Sequence, residues 1–390
     1  MSLPEVALVC FDNPYVKPMS GGKRAMLTRI ESLKILDIDL NVFLLTNPNE
    51  GIADITAAQS ERCHIYQYMM SKLPPISLVT KYPICVGRRY VSGLADRLAD
   101  RHYDAVIYEG AQVSSYRFEG KVNADRHILY YHDIESVYRA QLAQSENNSL
   151  GRYLQNRESR LFARMEGRLP ELFDCHLFVS CDEREQFASE HGLGDTAVYA
   201  PYAVDSVADK VPMDAVPGRM LYAGDMSLDS NYRSMEWFVR KVLPNVRFDG
   251  GEPELRLVGR ISEEHKRHLE VLDSRVRVLG YVDDLDSEYE SACCFVAPIL
   301  YGAGVKVKLI DAMARGQIVI ANTKACEGTR AMNGENLLVA DEPEAMAGLC
   351  SAVLNHREEY VSVAENGLEF IRRYHSKEAQ AELFRREIES

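Results

Sequence analysis

The sequence predicts an α/β protein with two doubly wound domains built on parallel sheets. Three observations carry this. The chain has 390 residues, which exceeds what one ordinary hydrophobic core organises. Short apolar runs alternate with segments of helical spacing along its whole length. That alternation pauses once, at "SVADKVPMDAVPG" (206–218), a stretch with two prolines and little periodicity, and then restarts.

In chain order, "EVALVCF" is a strand, "DNPYVKPMSGGKR" a polar loop and "AMLTRIESLKIL" a helix, followed by the strand "LNVFLLT". Strand, glycine loop, helix, strand opens a βαβ unit. "YDAVIYE" (103–109), "RHILYYHD" (126–133), "CHLFVS" (175–180) and "TAVYAP" (196–201) continue the series, with a helix over 152–171. After the pause come the strand "RMLYAGD", the helix "NYRSMEWFVRKVLPNV", and the strands "ELRLVGR", "RVRVLGYV" and "CCFVAPIL". A helix, the strands "QIVIANT" and "NLLVA", and terminal helices complete the chain. The expected organisation is an amino-terminal domain over 1–205, a linker over 206–218 and a carboxyl-terminal domain over 219–372. A last helix over 373–390 is expected to cross back to the first domain, and the two Rossmann-like domains to face each other across a cleft.

Composition narrows the function. The content is 46% hydrophobic and 26% charged, as in a globular protein, and the formal net charge is −13. So acidic a chain argues against nucleic acid as its main partner. Nine cysteines, scattered and without a CxxC pair, fit reduced thiols and a cytoplasmic protein. "MSLPEVALVCFDNP" lacks the basic region of a signal peptide, and no apolar run reaches the ~18 residues of a spanning helix.

One segment raises a question of charge. In "YGAGVKVKLIDAMARG" (301–316) a helix beginning at Val305 places Lys306 and Lys308 in its first turn. That end of the macrodipole disfavours cations and attracts anions. Gly302 and Gly304 let backbone approach a ligand closely, and unpaired helix-start amides with two lysines would hold an anion, a diphosphate above all. The simpler alternative is a surface ion pair between Lys308 and Asp311, worth ~0.2–0.5 kcal/mol.

The order of short motifs then resembles the retaining GT-B glycosyltransferases of family four, the glycosyl transferases group 1. The resemblance runs through Gly224 and Met226, Asn231, Trp237-Phe238, Val242-Leu243-Pro244 and Val258-Gly259. It continues with Gly280, Val282, Pro298, Gly302, Gly304, Lys306, Lys308, Ala312-Met313-Ala314, Gly316 and Glu327-Gly328. It implies a donor diphosphate held by Lys306, Lys308 and the Gly302-Ala303-Gly304 loop, with Gly224, Gly259 and Arg260 lining the site. The base would lie at the backbone of Tyr281 and Val282, and Asp311 would bind the ribose. "SGGKR" resembles the family's glycine loop, so Gly21 and Gly22 would approach the donor or acceptor, with Lys23 and Arg24 adding charge. "YYHDIES" resembles the family's histidine motif, and His132 would contact the donor sugar. Four places depart from the pattern: Asp311 for Glu, Ala303 for an earlier Glu, Tyr130 for Asp, and Tyr202-Ala203 for Asn-Gly. The RxxxxK pair after the first carboxyl-domain strand is also missing.

The resemblance implies transfer of a sugar, with retention and without a metal, from a UDP- or GDP-linked donor to a saccharide, lipid-linked or small-molecule acceptor. It points to bacterial polysaccharide or glycoconjugate synthesis. The alternatives are a sugar-nucleotide epimerase on the same scaffold and a non-catalytic subunit that binds a nucleotide sugar. Arg157, Arg160, Arg164 and Arg168 fall along one helical face. A solvated amphipathic helix is the simplest reading of it, and a peripheral contact with an anionic membrane the sharper one.

Overall fold

The computed structural model describes residues 3–17, 20–73, 81–120, 122–146, 148–302 and 304–390. The chain divides into two compact units, Met1–Ala203 with Lys377–Ser390, and Val204–Ser376.

The first unit is built on a seven-stranded sheet: β1 (Glu5–Cys10), β2 (Asp39–Thr46), β3 (Cys63–Met69), β4 (Tyr103–Glu109), β5 (Ala124–Tyr131), β6 (Cys175–Phe178) and β7 (Ala197–Tyr199). Their order is β3-β2-β1-β4-β5-β6-β7, and every pairing is parallel. Helices cover both faces of such a sheet, so its central strands are apolar without interruption. Val6 to Cys10 are all fully buried, as are Val42 to Leu45. The apolar runs of the sequence were therefore sufficient to find six of the seven strands. β3 was missed because it lies at the sheet edge, paired with β2 alone. Its residues alternate between buried and half-exposed, with His64, Tyr66, Gln67 and Tyr68 among them.

The helix after β1 spans Gly21–Leu33 and starts earlier than its spacing suggests. Ser20 accepts a hydrogen bond from the Lys23 backbone and caps it, which places Gly21 and Gly22 in the first helical turn rather than in a loop. The helix Lys377–Glu389 packs against it within the same unit.

The second unit holds β8 (Arg219–Ala223), β9 (Glu254–Val258), β10 (Val276–Gly280), β11 (Cys294–Ala297), β12 (Val319–Ala321) and β13 (Leu338–Val339). Their order is β10-β9-β8-β11-β12-β13, again all parallel. The segment 206–218 is bound to this unit rather than loose. Ala208 N donates to Ala314 O at 2.8 Å, Val216 N to Ser291 O at 2.9 Å, and Arg357 to Pro212 O at 2.6 Å. The stretch 229–245 breaks into an α-helix (Asp229–Trp237), a π-turn (Phe238–Val242) and a 3₁₀ turn at Pro244, rather than one continuous helix. All nine cysteines are free.

Candidate functional site

Functional side chains gather where the strands end. In the second unit β11 ends at Ala297 and leads through Gly302 and Gly304 into the helix Val307–Ala314. Both glycines have left-handed backbone, φ +99° and +72°, a conformation that costs other residues strain. The helix begins two residues later than expected, so Lys306 is its N-cap and Lys308 lies in its first turn.

Neither lysine points into bulk water. Lys306 is 9% exposed, and its ammonium donates to Gly302 O at 3.2 Å and Gly304 O at 2.6 Å. Lys308 reaches inward to the Tyr222 hydroxyl at 2.9 Å and the Asn231 side-chain oxygen at 2.5 Å. It makes no ion pair with Asp311, and among the described residues its hydrogen-bond partners are uncharged. Desolvation, reinforced by the neighbouring charge of Lys306 and partly offset by the Asp225 carboxylate, lowers its pKa to about 8. A half-buried ammonium at the positive end of a helix dipole, hydrogen-bonded only to neutral dipoles among the described residues, is a poor arrangement for an empty protein and a good one for an anion.

The other predicted residues of this unit lie just past neighbouring strands or on the same helix. Gly224 and Gly259 follow β8 and β9, and their need for glycine is internal. Gly259 has φ +130°, and a Cβ there would stand 2.0 Å from Gly224 O. Arg260 is exposed and ion-paired with Asp225, so its charge is already balanced. Tyr281, just past β10, is 77% exposed, with Val282 half-buried beside it. Asp311 is half-buried on the helix, one turn beyond Lys308. Ala303 lies outside the described residues.

In the first unit, Gly21 and Gly22 are exposed, and a Cβ on Gly22 would meet nothing within 4 Å. No packing demands glycine there. Lys23 does not contribute the charge expected of it: its ammonium is buried against Val16 O at 3.0 Å, Glu50 at 3.1 Å and Asp12 at 3.9 Å.

His132 follows β5, and its Nε2 lies 2.5 Å from Glu109 Oε2 at the end of β4. Ionised, that carboxylate can only accept, so Nε2 carries the proton and Nδ1 has no partner among the described residues. Glu109 is fully buried, and its other oxygen accepts from Arg29 Nε, also fully buried. Burial pushes the Glu109 carboxyl up, but Arg29 and then His132 outweigh it and hold it below the usual range. The Arg29 guanidinium lies 3.4 Å above the Tyr130 ring, whose hydroxyl donates to Ala200 O at 2.6 Å. This gives Tyr130, where the resemblance expects Asp, a structural reason. The sequence reading missed both Arg29 and Glu109. A signal existed: "YDAVIYE" ends an apolar strand on a carboxylate beside the strand that ends on His132.

Among the described residues, no group of three or more His, Cys, Asp or Glu side chains is placed to hold a metal ion.

Two doubly wound, all-parallel units are the GT-B architecture of glycosyltransferases, and comparison bears out that fold. The lipopolysaccharide outer core galactosyltransferase WaaB is similar with a TM-score of 0.63 at 14% identity, over 98% of this chain and 99% of that one. HepE from Anabaena, solved in complex with UDP, is similar with a TM-score of 0.65 at 13% identity, over the whole of both chains. More particularly, residues 217–356 match the family model Glycosyl transferases group 1. In sequence, an uncharacterized 44.6 kDa protein in the cps region of Klebsiella pneumoniae is 26% identical over 98% of this chain and all of its own.

Two outcomes follow from the geometry. Arg29→Met leaves Glu109 buried beside an apolar group, and should cost about 3–5 kcal/mol of stability at pH 7 by urea unfolding; a loss below ~1 kcal/mol would contradict the pairing. If an anion binds at Lys308, it favours the protonated amine. Calorimetric affinity for UDP should then stay nearly level from pH 6.5 to 7.5 and weaken above pH 8, by at most about tenfold per unit, as free-protein Lys308 loses its proton. Lys308→Met should flatten that dependence.

Proposed function

We propose that the protein is a glycosyltransferase that moves a sugar from a nucleotide-diphosphate donor to an acceptor hydroxyl, with retention at the anomeric carbon. The single observation that carries this reading is Lys308, a half-buried ammonium whose hydrogen-bond partners among the described residues are uncharged, at the start of the helix Val307–Ala314. In this reading the diphosphate sits against Lys306, Lys308 and the amides of the Gly302–Gly304 loop. Those groups stabilise the charge that develops on the leaving diphosphate, so the chemistry needs no metal. Asp311 accepts from the ribose hydroxyls, the exposed ring of Tyr281 and the backbone of Val282 border the base, and Gly259 with Arg260 completes the rim. The Anabaena relative solved with UDP supports a uridine donor over a guanosine one.

His132 orients the donor sugar. Glu109 fixes its tautomer, and Nδ1 is the ring atom offered to a sugar hydroxyl. Gly21 and Gly22 leave room for a substrate to approach the first turn of their helix. The relative from a cps region supports a polysaccharide acceptor.

A second element of the reading concerns location. The helix Ser149–Glu166 and the turn after it carry five arginines, while its only acids, Glu158 and Glu166, are buried. Leu150, Tyr153 and Leu154 are exposed at its start, at 63%, 61% and 42%. An apolar tip with a basic flank, on a chain of net charge −13, suits peripheral contact with anionic lipid. Among the described residues no helix is long and apolar enough to cross a membrane.

Lys306→Ala should lower nucleotide release from the donor by about 10²–10³-fold, the loss typical of one transition-state charge partner, with an unchanged circular dichroism spectrum. Turnover at the parent rate would refute the role. Arg160→Glu with Arg164→Glu should reduce co-sedimentation with vesicles containing phosphatidylglycerol and leave binding to neutral vesicles as it was. Equal sedimentation by parent and variant would remove the membrane contact from the reading.

A further inference from the structure

The helix that supplies Asn231 to Lys308 also lines a groove. A groove of about 470 Å³ runs between this helix, Asp229–Trp237, its π-turn and the Leu300–Tyr301 segment that leads into Gly302. Its walls are aromatic. Tyr301 is 50% exposed, Trp237 is half-buried, and Tyr232 is held by a stacked His265 ring at 3.7 Å. Between the rings stand two ion pairs, Arg233 with Asp229 at 2.7 Å and Arg240 with Glu236 at 2.9 Å. Lys241 completes the lining, and its ammonium makes no hydrogen bond or ion pair among the described residues.

Each component suits one chemical class. Aromatic faces present a large, rigid apolar area at low entropic cost, and take the C–H face of a pyranose ring. Paired carboxylates and guanidiniums, fixed by one another, can both accept from and donate to sugar hydroxyls. The lining carries three cations, Arg233, Arg240 and Lys241, against two acids, Asp229 and Glu236. One positive charge is therefore left over, on a chain whose net charge is −13. That leftover ammonium selects a ligand with a carboxylate of its own. A volume of this size accommodates an oligosaccharide segment rather than a single small ion.

We propose that this groove binds a uronic-acid-bearing stretch of a glycan chain, a subsite outside the diphosphate corner that holds the acceptor polymer near the donor. The inference rests on the sugar-transfer reading for its purpose, but its binding chemistry stands apart from it.

The chain supplies its own reporter, since Trp237 is its only tryptophan. Titrating the full chain with a hyaluronan tetrasaccharide, which carries glucuronate, should change Trp237 emission saturably. Chitotetraose, neutral and of equal length, should bind at least fivefold more weakly. Lys241→Glu should weaken the acidic ligand at least fivefold and leave the neutral one unchanged. Tyr301→Ala should weaken both, with folding checked by the unliganded emission maximum. Saturating UDP should leave the titration in place. No emission change with either saccharide would overturn the proposal, as would equal affinity for both, or an unaltered Kd in Lys241→Glu. Displacement by UDP would also overturn it, by assigning the groove to the donor. No step needs turnover, so a saturable titration beside failed sugar transfer would keep the groove and discard the transferase reading. The reverse pair of results would do the opposite.

Discussion

A strand in an all-parallel sheet has helices on both faces, and this burial dictates where polar chemistry can appear. Val6 to Cys10 and Cys294 to Ala297 are buried throughout and offer no room for a charge. Charged groups must therefore emerge at strand ends, where backbone leaves the sheet and helix amides begin. Glu109 ends β4, His132 follows β5, and Lys306 with Lys308 follows β11. Within each unit the same constraint yields a polar corner on an apolar frame.

The two corners treat charge differently. In the first unit Glu109 is satisfied from both sides, by Arg29 and by His132, and the guanidinium rests on Tyr130. The carboxylate of this buried network is paired on both oxygens, while Arg29 Nη1 and Nη2 make no hydrogen bond among the described residues, and in the proposed reading its effect on a ligand passes through the imidazole it orients. In the second unit the charge is not complete. Lys308 is half-buried, its ammonium donates to neutral acceptors, and its pKa falls to about 8. The first arrangement positions a group, and the second waits for an opposite charge. The proposed roles, orientation for His132 and anion binding for the lysines, rest on that contrast.

Several residues carry less than their motif suggests. Arg260 is balanced by Asp225, and Lys23 by Glu50 and Asp12. Gly259 is required by the carbonyl of Gly224 rather than by a ligand. Gly22 is the opposite case, a glycine in a helical turn with open space where its Cβ would be. Glycine within a helix costs roughly 0.5–1 kcal/mol relative to alanine, and no internal contact repays it here.

The sequence by itself determined the α/β class, six of the seven strands of the first sheet and all six of the second. Burial on both faces writes itself as short apolar runs, a purely local record. It also marked the Gly302–Lys308 junction, because glycines and cations before an amphipathic helix conflict with local preference. The edge strand Cys63–Met69 escaped, since one-sided pairing leaves a mixed pattern that resembles a loop. The tertiary structure alone decided which charges were already neutralised. Arg29 meets Glu109 across 80 residues of chain, and Lys308 meets Tyr222 across 86. Electrostatic partnership depends on distance in space, and no local spacing encodes it.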